Sequence, residues 1–138
     1  MANILNFQTL EDGQENAVIR LTAELPASGS DVASTTFADP ATLSDIGPFV
    51  GRKATQLRVK KVIFDIEDSL VVQFFWDATT PIQFENLEGR GVNDYRDFGG
   101  LQNNAGAGKT GKITFTTQGW VAAADLQFTI TLYLGKQV

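Results

Sequence analysis

The chain has 138 residues, 43% of them hydrophobic, and a net charge of −5 from 16 acidic and 11 basic side chains. It contains neither cysteine nor histidine, which excludes disulfides, thiolate nucleophiles, Ser-His-Asp and Cys-His triads, and zinc held by those ligands. The length suits one domain with a substantial core, and acidity spread along the whole chain argues against a nucleic-acid or anionic-membrane surface.

The opening stretch, Met-Ala-Asn-Ile-Leu-Asn-Phe-Gln, has no basic or long apolar region, so no secretory signal is expected. No apolar run nears the ~20 residues of a membrane helix. Residues 1–12 read as an extended N-terminal arm. Ala17, Ile19, Leu21, Ala23 and Leu25 then alternate with Val18, Arg20, Thr22 and Glu24, one apolar row along a strand that Pro26 ends. Residues 27–49, rich in Ser, Thr, Ala and Asp, read as a loop over the edge of a sandwich. Within it Asp39 is placed to cap a short helix with Pro40 at its first position, and Gly47 and Pro48 to stop that helix.

The strongest β pattern begins at Leu57. Leu57 and Val59 hold one phase and Val62, Phe64 and Ile66 the other, and the slip at Lys60 and Lys61 predicts a β-bulge. Glu67, Asp68 and Ser69 read as a hairpin turn into Leu70, Val72, Phe74 and Trp76. Val71 and Phe75 make the other side of that strand apolar too, so it is expected to be covered on both faces, with Trp76 in the core. Ile82 and Phe84 restart the alternation after Pro81 and carry it to Leu87. Residues 88–111 are glycine-rich and without apolar period, and read as irregular loops around a short strand near 95–98.

Two one-sided strands follow, on Ile113, Phe115 and Thr117 and on Leu126, Phe128, Ile130, Leu132 and Leu134, with Trp120 in the turn between them. Seven or eight strands and hardly any helix predict an all-β fold. The expected architecture is an antiparallel β-sandwich, jelly-roll-like, with long loops, in one domain over residues 1–138.

Some motifs tempt and fail on context. Gly106-Ala-Gly108-Lys-Thr-Gly111 spells GxGxxG, but a strand follows where a helix must hold the pyrophosphate. Gly108-Lys109-Thr110 imitates the end of a P-loop, yet Asn103 stands where that pattern needs glycine. Arg52, Lys53, Arg58, Lys60 and Lys61 read as the solvated face of a strand. Asp65, Glu67, Asp68, Asp94 and Asp97 read as turn and loop acids, and no cofactor, metal or catalytic residue is assigned. Trp120, Tyr95, Phe98 and Tyr133 could stack on a sugar, fill a partner's pocket, or close the ends of the core.

Phe75-Trp76-Asp77-Ala78-Thr79-Thr80-Pro81, Gly99-Gly100-Leu101, Asn103-Asn104, Gly108-Lys109-Thr110-Gly111, Thr117-Gln118-Gly119 and the closing strand from Phe128 to Lys136 together resemble the decoration, or cement, proteins of tailed-bacteriophage capsids. The resemblance covers roughly residues 57–136. It implies a virion structural protein made in the host cytoplasm and bound to the capsid exterior. The major capsid protein would be its partner, and a homo-oligomer, such as a trimer on a capsid three-fold axis, its state. Neither nucleic acid nor membrane is an expected partner. By composition, the contact regions are the segment Asn3 to Leu10, with Asn3, Ile4, Leu5 and Phe7, and the loop Gly89 to Gly108, with Arg90, Tyr95 and Phe98, joined by Trp120. The rival readings are a glycan- or receptor-binding module of a phage tail and a small carboxylate-dependent enzyme; the chain is not expected to be an enzyme.

Overall fold

The computed structural model describes residues 3–46, 51–121 and 125–137. Within them the strands are β1 (Ile4–Asp12), β2 (Asn16–Leu25), β3 (Thr35–Ala38), β4 (Gln56–Ile66), β5 (Val71–Trp76), β6 (Ile82–Glu88), β7 (Arg90–Asp94), β8 (Ile113–Gln118) and β9 (Leu126–Gln137). They form two antiparallel sheets, ordered β1-β2-β9-β4-β7 and β3-β8-β5-β6. Leaving β1 aside, the orders 2-9-4-7 and 3-8-5-6 are those of an eight-stranded jelly roll, whose chain crosses between sheets at every connection except the β5–β6 hairpin.

One hydrophobic core fills the space between the sheets. The β2 row of Ala17, Ile19, Leu21, Ala23 and Leu25 and the β9 row of Leu126, Phe128, Ile130, Leu132 and Leu134 are buried, each pairing with the other in register. Phe37, Phe74 and Phe115 meet edge-on or tilted with centroids 5.3–6.1 Å apart, and Trp76 stacks on Phe84 at 4.1 Å. Trp76 is only 1% exposed, as its place in the row predicts.

The bulge at Lys60 is present. Pairing with β9 slips between Val59 and Lys61, which lets Val59 on one side and Val62 on the other both face the core. The Asp39 cap also forms: its carboxylate accepts the Ala41 N–H at 3.0 Å at the head of a one-turn 3-10 helix, Pro40–Thr42. Gly47 and Pro48, the expected stop, lie outside the described residues.

Other expectations are corrected. The expected N-terminal arm is a strand from Ile4 to Asp12, which pairs with β2 as an outer strand of the larger sheet. The segment read as a loop contains β3, whose Phe37 and Ala38 are buried; four residues are too few to show a period. The turn at Glu67–Ser69 is real, with the Leu70 N–H donating to the Glu67 carbonyl at 3.2 Å. It is no hairpin, however, since β4 pairs with β7 and β9 while β5 pairs with β6 and β8. Turn composition specifies a reversal of the chain but not the sheet that the next strand joins. Val71, Gln73 and Phe75 are half-buried, so β5 is fully covered on one face only. The strand of the glycine-rich segment is Arg90–Asp94, and the 95–98 stretch is instead a turn with a 3-10 helix at Arg96–Phe98.

Candidate functional site

The residues expected to touch a partner fall at three places rather than one. Ile4, Leu5 and Phe7 lie on β1, and Arg90, Tyr95 and Phe98 at the opposite edge of the same sheet, on or just after β7. Trp120 follows β8, at the end of the sandwich where the loop after β2 turns.

Asn3 and Trp120 both brace that loop. Asn3 donates from Nδ2 to the Ser30 carbonyl at 3.0 Å and accepts the Ser30 N–H at 3.1 Å. Trp120 donates its indole N–H to the Pro26 carbonyl at 3.1 Å and its backbone N–H to Asp31 at 3.0 Å, with the ring packed against the core. These are closures of the core's end, and they use the polar handle that a stacking tryptophan would otherwise offer to a ligand.

On β1 the side chains alternate. Ile4, Asn6 and Gln8 stand opposite Glu24, Thr22 and Arg20 on the outer face, whereas Leu5, Phe7 and Thr9 stand opposite the buried Ala23, Leu21 and Ile19. Leu5 packs on the core, whereas Ile4, on the outer face, is 46% exposed, and Phe7 is 38% exposed because among the described residues no strand lies beyond β1.

At the far edge the Tyr95 hydroxyl donates to Glu85 in a short hydrogen bond, tying the turn after β7 to β6. Burial, and then the Glu85 carboxylate, raise the Tyr95 pKa well above that of a free phenol. Arg90 faces Asp65 across the strand pair at 3.4 Å, both well exposed. Phe98 is the open group here, 62% exposed.

Several of the acids serve the fold. Asp94 is held by the Arg96 guanidinium and backbone N–H, which lower its pKa to about 2. Asp45 is lowered first by the Gly51 N–H and then by Lys53. Asp31 accepts from Thr117 as well as Trp120, and Asp77 from Thr110. Where carboxyl shifts are clear they run downward, opposite to the raised pKa of a general acid. Among the described residues no group of His, Cys, Asp or Glu is placed to hold a metal ion.

The most enclosed charge is Lys136, which was not singled out from sequence. Its side chain is fully buried, and its three ammonium protons have three acceptors: Asp12 Oδ1 at 2.6 Å and the Gly13 and Ser44 carbonyls at 2.5 and 3.0 Å. Burial pushes the Asp12 carboxyl up, but the hydrogen bonds from Lys136 and Ser44 outweigh it and hold the pKa below the usual value. A signal existed, since Lys136 continues the row of Leu126 to Leu134 in the core-facing phase. Beside it an open cleft of about 380 Å³ is lined by Glu15, Ile46, Arg58, Lys60 and Gln137.

No protein-family model matches the chain, and no curated protein matches it. Among solved structures, Peruvianin-I, a cysteine peptidase from Thevetia peruviana latex, aligns over 93% of this chain at 14% identity with a TM-score of 0.35. The chain spans 60% of that protein's length. A likeness this slight says nothing of what the chain does.

Proposed function

We propose that the chain is a structural protein of a tailed-bacteriophage virion. In this reading it is a decoration protein bound to the outside of the head, where it contacts the major capsid protein and bridges joints between capsomers. The observation that carries this reading is the contrast between edge and interior. Several polar and charged groups of the described residues brace turns and loops, while apolar side chains are exposed at both edges of the larger sheet, at Ile4, Phe7 and Leu10 and at Val92 and Phe98. Such edges suit contact with another protein surface better than chemistry on a small substrate. The jelly roll fits but does not decide, since the same fold serves capsid proteins and lectins.

Decoration proteins of the kind resembled here act by binding the assembled shell and not its free subunits. Each contact then stabilises the shell by mass action, and many repeated sites add up. On the shell, three copies about a three-fold axis is the arrangement that the resemblance implies.

A glycan- or receptor-binding tail module is the second reading, favoured by one observation, the exposed Phe98 ring beside Tyr95 at 6.0 Å. Quantitative mass spectrometry of purified virions, normalised to the major capsid protein, separates the two. Abundance comparable to the capsid protein is the expected result; a few copies per particle favours the tail, and absence from the virion overturns both.

A further inference from the structure

The edges of the two sheets are not alike. β3 is four residues long; β6 follows Pro81 and carries Glu85 and Glu88; β7 carries Arg90 and Asp94, paired with Asp65 and Arg96. Shortness, proline and charge are the devices by which sheets avoid pairing with other chains. β1 has none of them over most of its length. From Asn3 to Leu10 there is neither a charged residue nor a proline, and the backbone of this stretch bonds to β2 alone among the described residues. A bulge appears only at its end, where the pairing with β2 slips between Thr9 and Glu11.

We infer that β1 is a self-association edge, pairing antiparallel with β1 of a second copy about a two-fold axis so that the two five-stranded sheets become one. The register follows from the side chains. With Phe7 on the axis, Phe7 faces the second copy's Phe7, Asn6 faces Gln8, Leu5 faces Thr9 and Ile4 faces Leu10. This register sets Phe7 against Phe7 on one face and amide against amide on the other, with Leu5 meeting Thr9 and Ile4 lying across from Leu10, the residue at the bulge. An antiparallel two-fold makes the contact self-complementary. Because the stretch is uncharged, no like charges are brought together; Glu11 and Asp12 fall beyond it. A partner of fixed charge would gain nothing from such an edge, whereas a second copy matches it residue for residue. The pairing is a property of the free chain and does not rest on the capsid reading, whose three-fold arrangement would be imposed by the shell.

Sedimentation equilibrium of the purified chain over a wide concentration range tests this, with two double variants on the exposed outer face. Asn6→Glu with Gln8→Glu opposes two carboxylates on each side of the axis and is expected to weaken the dimer about tenfold or more. Asn6→Lys with Gln8→Glu opposes unlike charges and is expected to dimerise at least as tightly as the parent chain. Amide exchange of the parent chain gives a reading that needs no variant: protection of residues 4–10 should rise with protein concentration. A chain that stays monomeric, a trimer, or a dimer that responds alike to both variants or leaves β1 amides unprotected overturns the proposal.

Discussion

The Phe7 ring on β1 meets the Phe37 ring on β3 edge-on, with centroids 5.4 Å apart and planes at 86°. This contact closes the sandwich where an edge of one sheet overhangs an edge of the other. Phe37 also touches Phe74 and Phe115, so the short strand β3 is an integral wall of the core. Phe37→Ala is expected to destabilise the fold by about 3 kcal/mol, from lost transfer energy and the cavity left behind. A residue in a surface loop would change stability by about 0.5 kcal/mol or less, and urea unfolding distinguishes the two.

The Lys136 and Asp12 pair predicts an order of effects. Asp12→Ala leaves the ammonium buried with only carbonyl partners, and is expected to cost on the order of 2–3 kcal/mol, below the usual figure for a fully buried pair because Asp12 is partly exposed. Lys136→Met removes the buried charge itself, and the Asp12 carboxylate it frees can hydrate and still accepts from Ser44, so its cost should be smaller. Chemical unfolding of both variants gives the comparison; a larger loss for Lys136→Met would contradict this account.

The same pair sets an acid dependence. The Asp12 pKa is lower folded than unfolded, so folding favours its ionised form. Its contribution is complete above the unfolded carboxyl value of about 3.9 and is lost as pH falls through the folded value. Unfolding free energy measured against pH should therefore fall less steeply below about pH 4 in Asp12→Ala than in the parent chain.

Glycine positions make a contrast. A Cβ on Gly111 would lie 2.1 Å from the Thr55 carbonyl oxygen, and one on Gly119 2.0 Å from that of Ser69, both at positive φ. Backbone cannot yield as a flexible side chain can, so Gly111→Ala and Gly119→Ala are each expected to cost more than about 2 kcal/mol. Gly106 has no neighbour within 4 Å and no positive φ, and Gly106→Ala should be neutral or slightly stabilising. Thermal unfolding midpoints check all three.

Tyr95 gives an alkaline counterpart. With its pKa raised by burial and by Glu85, the hydroxyl should ionise later than the value near 10 of a free tyrosine, visible as a delayed component in an ultraviolet titration. The neutral form is favoured by folding, so its contribution is present below about pH 10 and lost as pH rises above it. Tyr95→Phe removes the delayed component and is expected to cost about 1 kcal/mol through the lost hydrogen bond to Glu85.

Of the contact residues read from composition, Phe98 is exposed and Phe7 is partly exposed while its ring packs on Phe37 and Phe115, whereas Trp120 and Tyr95 hold the fold together through their indole N–H and hydroxyl. Their roles depend on whether a carbonyl or carboxylate from another segment arrives beside them, which residue type cannot reveal. Lys136 was legible in principle, as a lysine in the apolar phase of β9, but its partners were not.

What the sequence by itself determined is local. The inward rows of β2, β4, β5, β8 and β9, the bulge at Lys60 and the cap at Asp39 each follow from residues within a few positions of one another, since a strand's period, a phase slip and a side-chain cap are short-range. Tertiary structure alone decided which sheet each strand joined, that β1 and β3 are strands at all, and that Lys136 meets an acid 124 positions away. Those outcomes depend on burial against distant segments, and a strand of four residues or a single buried lysine gains its stability only once the rest of the jelly roll has brought its partners there.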